Sequence, residues 1–242
     1  MATSKYSSTE ETTNASRVSR VLLDPCTDQL RDVLRHYVPP HTFPQVIQRH
    51  CLKLNKPQID LILPRSGHYT GNYNDFDISL LYILLRNICN IPPHTKGWGK
   101  DPDPNDKSLA ANIERIRNAR NTTVGHMISS SLSNTDFKNI WCTVSSAVRS
   151  IDTELNNNQQ YRKAVDFLKC EVMDPEIAKQ YDTRLREQMK EDTETRKMVE
   201  GKTLFKIFII HVHIGTVKHI IGSSSIIFNP SCYVFRYIFG HN

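Results

Sequence analysis

The stretch Asp75–Cys89 constrains the chain most. Phe76, Ile78, Leu80, Leu81, Tyr82, Ile83, Leu84, Leu85 and Ile88 leave almost no polar face at helical spacing. A helix that is apolar all round is stable in water only when other helices surround it. With 15 residues it is too short to span a bilayer. The sequence therefore predicts a bundle of helices around this one, with Asp77 favoured at its N-terminal turn.

The neighbouring segments supply the other helices. Leu30, Val33, Leu34 and Tyr37 repeat at helical spacing within Asp28–Val38, and Pro39-Pro40 ends that segment. A helix is expected over Pro44–Leu54. Another starts with Asp106 or Ser108 as its cap and continues beyond Arg120. Ser133 and Asp136 cap a helix over Phe137–Leu155, striped by Phe137, Ile140, Trp141, Val144, Val148 and Ile151. Between them, Ile91–Asp106 holds four prolines, Gly97 and Gly99, and reads as an ordered loop or lid. Asn156–Gln160 reads as a polar connector.

The ends differ in texture. Ser, Thr and Glu dominate the first residues, so residues 1–20 are expected to be a disordered arm. The helical domain is expected over 21–158 and a helical extension over 159–201. Asp174-Pro175-Glu176 starts a helix that is dense in charge, with a thin stripe of Ile177, Tyr181, Leu185 and Met189. That helix, 174–200, is expected to be solvated and to meet another domain or a protein partner. Residues 202–242 form an atypical tail, β-branched and without a carboxylate. Foreign sequence, an added β-hairpin and a membrane-associating segment are all open readings of it.

Charge and cysteine usage exclude more than they identify. The whole chain carries 31 Lys+Arg against 25 Asp+Glu, but three of the cations fall in residues 203–242. The first 202 residues are nearly balanced and give no basic stripe for nucleic acid by composition. The six cysteines form no C-x-x-C pair, and His36, His41, His50 and Cys51 match no closed zinc site. No apolar signal segment opens the chain, so a cytoplasmic location is expected and a membrane partner is not. No metal or small-molecule cofactor is expected, since no phosphate loop, nucleophile elbow or dinucleotide fingerprint is present.

One position breaks the apolar pattern. Leu109, Ile113, Ile116, Val124 and Met127 form a stripe whose remaining position is Arg120. A guanidinium on a core-facing stripe requires a partner, a cleft or an interface. His126 follows six residues on, about 600° of helix and about 9 Å of rise away. The two could converge through a kink at Gly125, through arginine's reach or across a two-fold axis. Alternatively, Arg120 is a structural ion pair with Asp77 or another acid, and His126 a capping or core histidine.

Arg120-Asn121, with His126 six residues after the arginine, fits the Arg-x4–6-His motif of HEPN domains. Phe76-Asp77-Ile78-Ser79, Leu84-Leu85-Arg86-Asn87, Pro92-Pro93, Gly97-Trp98-Gly99, Ile113-Glu114-Arg115-Ile116-Arg117 and Trp141 complete an ordered set. Over residues 21–158 this resembles the HEPN-like domain at the N-terminus of DAZ-interacting zinc-finger protein 3-type proteins. The resemblance implies an all-α bundle that dimerises, serving dimerisation or protein interaction in an intracellular RNA-associated or defence setting. It equally implies, as an alternative, a metal-independent endoribonuclease or binder of single-stranded RNA. There His126 would move a proton and Arg120 would stabilise the phosphorane. Asn121 and Asp77 would support them. Arg86, Arg115, Arg117 and Trp98 would contact RNA, unless the arginines are merely solvated and the tryptophan anchors its loop. No cysteine and histidine array has RING spacing, so ubiquitin ligase activity is not expected.

Overall fold

The computed structural model describes residues 9–50, 52, 54–63, 72–126, 131–171, 174, 176–194 and 197, with the side chains of 124–126 excepted. Among these residues every regular element is a helix. The chain divides into two units, Met1–Asp192 and Thr193–Asn242. Of the second, residues 193, 194 and 197 are described and are helical. The tail expected over 202–242 lies outside the described residues.

The first unit opens with α1, Glu10–Val21. Thr9 caps it by accepting from the Thr12 amide at 3.2 Å, and Glu10 and Glu11 sit in its positive first turn. The disordered arm expected across 1–20 is thereby corrected from residue 10 onward. The misreading has a physical reason: the inward face of α1 is made of small polar residues. Asn14, Ser16 and Ser19 are buried beside Ala15 and Val18. Asn14 Nδ2 donates to Asn134 Oδ1 at 2.7 Å, and Ser19 Oγ lies 3.0 Å from the Ala15 carbonyl.

A π turn, Leu22–Cys26, joins α1 to α2, Thr27–Tyr37. Pro25 has no amide hydrogen and crowds the carbonyl four residues back, which widens the ladder. The Thr27 hydroxyl donates to the Leu22 carbonyl at 2.8 Å. Two short helices follow: α3, Phe43–Gln48, and α4, Lys56–Ile62. The helix expected over Pro44–Leu54 is therefore shorter. Beneath it Phe43, Tyr73 and Phe76 pack ring to ring, and the Tyr73 hydroxyl donates to the Val38 carbonyl at 2.8 Å.

The central helix is α5, Ile78–Ile88, with Asp77 as its N-cap. Ile78, Leu80, Leu81, Leu84, Leu85 and Ile88 are all buried. It packs on α2 and on α6, Leu109–His126. α7, Asn134–Leu155, lies against α6 and buries Phe137, Ile140, Trp141, Val144, Val148 and Ile151, the stripe read from the sequence. Its cap is Ser133, whose hydroxyl accepts from the Asp136 amide at 3.1 Å. Asn156 ends it in the left-handed region, φ 54°, where asparagine substitutes for the usual glycine.

After that turn come α8, Gln160–Cys170, and α9, helical over 176–192 within this unit. The buried Asp152 ties three elements together: it accepts from Gln29 Nε2 at 3.0 Å and from the Arg162 amide at 2.8 Å. Asp174 caps α9 through the Glu176 amide at 2.9 Å. Most of α9 is exposed, in keeping with its charge. Leu185, however, is fully buried and Asp182 is 6% exposed. The segment expected as an extension from residue 159 thus packs as part of one compact unit up to Asp192.

Candidate functional site

Arg120 is enclosed between three helices. It projects from α6 and is 2% exposed, the largest fully buried side chain among those described. Its Nη1 donates to Ser79 Oγ at 2.8 Å and to Asp192 Oδ2 at 2.6 Å. Ser79 also donates to the same Asp192 oxygen. On its other side Nη2 lies 3.7 Å from Asp77 Oδ2. Its Nε and Nη2 are buried without a hydrogen-bond acceptor. One guanidinium thus serves two carboxylates, and the close one comes from α9, 72 residues away in sequence.

Asp77 does two jobs. Its Oδ1 accepts from the Leu80 amide at 2.9 Å, closing the first turn of α5, while Oδ2 faces Arg120. Burial raises its carboxyl above the ordinary value; the Leu80 amide and Arg120 pull it back, and Asp192 and Glu191 add to the rise. A folded-state value above the unfolded one means the folded chain holds the proton more tightly. This contribution is stabilising when the carboxyl is protonated and declines as pH rises through the raised value. Asp77→Asn keeps a capping oxygen. It is expected to flatten that stretch of the stability-against-pH curve and to change neutral-pH stability by less than about 1 kcal/mol. Urea melts across pH 3 to 7 measure both; an unaltered acid-side slope would contradict the assignment.

The α6 helix continues without a break through Gly125 to His126. On a regular helix that spacing leaves about 240° of net rotation between positions 120 and 126. The His126 side chain lies outside the described residues. Asn121 is partly buried on the same helix.

The other candidate residues gather six residues earlier on α6, around Glu114, which is fully buried. Glu114 Oε1 takes Arg117 Nη1 at 2.7 Å; Oε2 takes the Tyr82 hydroxyl and the Gly99 amide, both at 2.9 Å. Arg117 also stacks over the Tyr82 ring at 4.6 Å, and Trp98 meets that ring edge-on at 5.8 Å. Gly99 sits at φ +83°, a conformation glycine adopts at no steric cost, and this turns its amide towards the carboxylate. Arg115 is occupied too: it donates to Asn112 Oδ1 at 2.9 Å and to the Asp103 carbonyl at 2.7 Å. Together these bonds hold the 91–106 loop against α6. Of the three cations proposed to contact RNA, Arg86 is the exposed one.

Sequence reasoning did not find Ser79, Asp192, Glu114 or Tyr82. Glu114 carries a recognisable signal, an acid three residues before an arginine at the polar edge of the α6 stripe. Asp192 carries none, since it is one of many acids on a charged helix. Among the described residues no group of histidine, cysteine, aspartate and glutamate is placed to hold a metal ion. None of their helices is long and apolar enough to cross a membrane.

Comparison with known proteins agrees with this architecture. Residues 29–181 match the family model described as DZIP3/hRUL138-like HEPN. The chain is 31% identical over 70 residues to the E3 ubiquitin-protein ligase DZIP3 of Homo sapiens, covering 29% of this chain and 6% of that protein. To the Mus musculus protein of the same name it is 31% identical over 130 residues, 49% of this chain and 11% of that one. The chain therefore spans a small fraction of the length of these relatives. No solved structure gives a significant match.

Proposed function

The chain belongs to the DZIP3/hRUL138-like HEPN family, and from that premise we propose that it is a helical module for dimerisation and protein interaction in an intracellular RNA-associated or defence setting. The supporting observation is the state of Arg120. An arginine that stabilises a reacting phosphate must reach it, and this one is 2% exposed with its Nη1 committed to Ser79 and Asp192. Arg115 and Arg117 are spent on the 91–106 loop and Glu114 in the same way. An RNA-binding groove needs such cations facing solvent.

A second reading keeps the Arg-x5-His motif as a metal-independent endoribonuclease or RNA-binding site. One observation favours it: Nε and Nη2 of Arg120 remain unused donors in the fork that suits a phosphate. The two readings separate in one pair of measurements on the full chain. Single-stranded RNA incubated at neutral pH in EDTA is expected to show equal background with wild type and His126→Ala. Sedimentation equilibrium is expected to show a concentration-dependent dimer. Cleavage that vanishes in His126→Ala replaces the first reading with the second, whatever the oligomeric state; a chain monomeric at every concentration removes dimerisation from the first.

A further inference from the structure

We propose that α9 is a strap closed over Arg120, latched by Asp192, and that it opens while the bundle beneath stays folded. The inference concerns access to Arg120 and goes beyond the functional reading above.

Consider first what covers the guanidinium. Among the described residues the carboxylate within hydrogen-bond distance is Asp192, on α9; the bundle's own acid, Asp77, stands off at 3.7 Å. The Asp192 side chain is 24% exposed, so water reaches the latch from outside. Removing α9 would take away the acid that holds Nη1, and Ser79 would lose its second partner at the same moment.

Next consider how α9 is held. The chain before it is tethered at the C-cap of α8, where Arg20 Nη1 meets Glu171 Oε2 at 2.5 Å. Along its length the Tyr181 hydroxyl donates to Asp24 at 2.7 Å and Ser19 donates to Asp182 at 2.7 Å. Leu185 is its single fully buried aliphatic among the described residues, and Ile177 is 47% exposed. α5, by contrast, buries six aliphatic side chains. Local opening free energy follows buried apolar surface, so α9 sits at the low end of the range within this unit and α5 at the high end.

The closed state also leaves donors unsatisfied. Buried polar groups without partners are costly, and Nε and Nη2 of Arg120 are two of them. Both gain water when the strap lifts, which offsets part of the loss of the Asp192 bond. A device of this form withholds one cation in the closed state and presents it, with Asp77 beside it, in the open state.

The test reads arginine reactivity and amide exchange on the full chain. Phenylglyoxal modification, mapped by peptide mass spectrometry, is expected to reach Arg120 about tenfold or more slowly than exposed Arg86. Asp192→Ala removes the latch, and Leu185→Ala loosens the strap two turns away without touching Arg120. Each is expected to accelerate Arg120 by about tenfold with the Arg86 rate unchanged. Amides of 180–190 are expected to exchange before those of α5 in wild type and in both variants. Arg120 reacting as fast as Arg86 in wild type, unchanged Arg120 rates in both variants, or exchange of α9 and α5 as one unit would each overturn the proposal.

Discussion

Arg120→Ala is expected to lower the stability of the bundle by about 3–5 kcal/mol, the range found when one member of a buried ion pair is removed. Two effects add. The guanidinium and its stem fill the space between α5, α6 and α9, so alanine leaves a cavity there. The change also leaves Asp77 and Asp192 facing each other without the cation between them. Asp192 reaches water by moving outward, but Asp77 is fixed as the cap of α5. Arg120→Lys retains the charge and loses the fork, so it is expected to recover part of the stability. Urea unfolding followed by circular dichroism measures both. An arginine held ready for substrate alone would give a different result: alanine there leaves the urea midpoint unchanged.

That contrast shows which parts of the structure were legible beforehand. Period and composition placed the fully apolar α5, the α7 stripe and the Ser133 cap, because each is written within one helix; Asp77 was placed in the first turn of α5, which it caps. Arg120 was legible for the opposite reason, as one charge in an apolar row. Its close partner was not, since nothing local distinguishes Asp192 from the other acids of α9; only the packing of α9 across α5 and α6 selects it. α1 was missed because it buries asparagine and serine, residues that belong to loops by propensity and join a core only when each finds a partner. His126 was legible as a motif member and no further, for a spacing of six residues does not by itself put two side chains in one place.

Glu114 gives the second large effect, because the sequence shows its pairing with an arginine but not its burial. In a helix an acid three residues before an arginine reads as a surface pair worth a few tenths of a kcal/mol. Here the acid is fully buried and accepts from Arg117, the Tyr82 hydroxyl and the Gly99 amide. Glu114→Ala is therefore expected to cost about 3 kcal/mol or more, an order of magnitude above the surface value, by stranding two donors and a cation together. Glu114→Gln keeps an acceptor oxygen for one of them and is expected to cost less. The loss is expected to fall on the 91–106 loop first, since the Gly99 amide is the point at which Glu114 grips it. Trp98, held edge-on to Tyr82, reports this directly. In Glu114→Ala its fluorescence is expected to shift to the red at denaturant concentrations below those that unfold the helices, and in wild type the two changes are expected to coincide. Coincident transitions in the variant would mean that α5 and α6 hold the loop without Glu114, and that the carboxylate serves only as the counter-charge of Arg117.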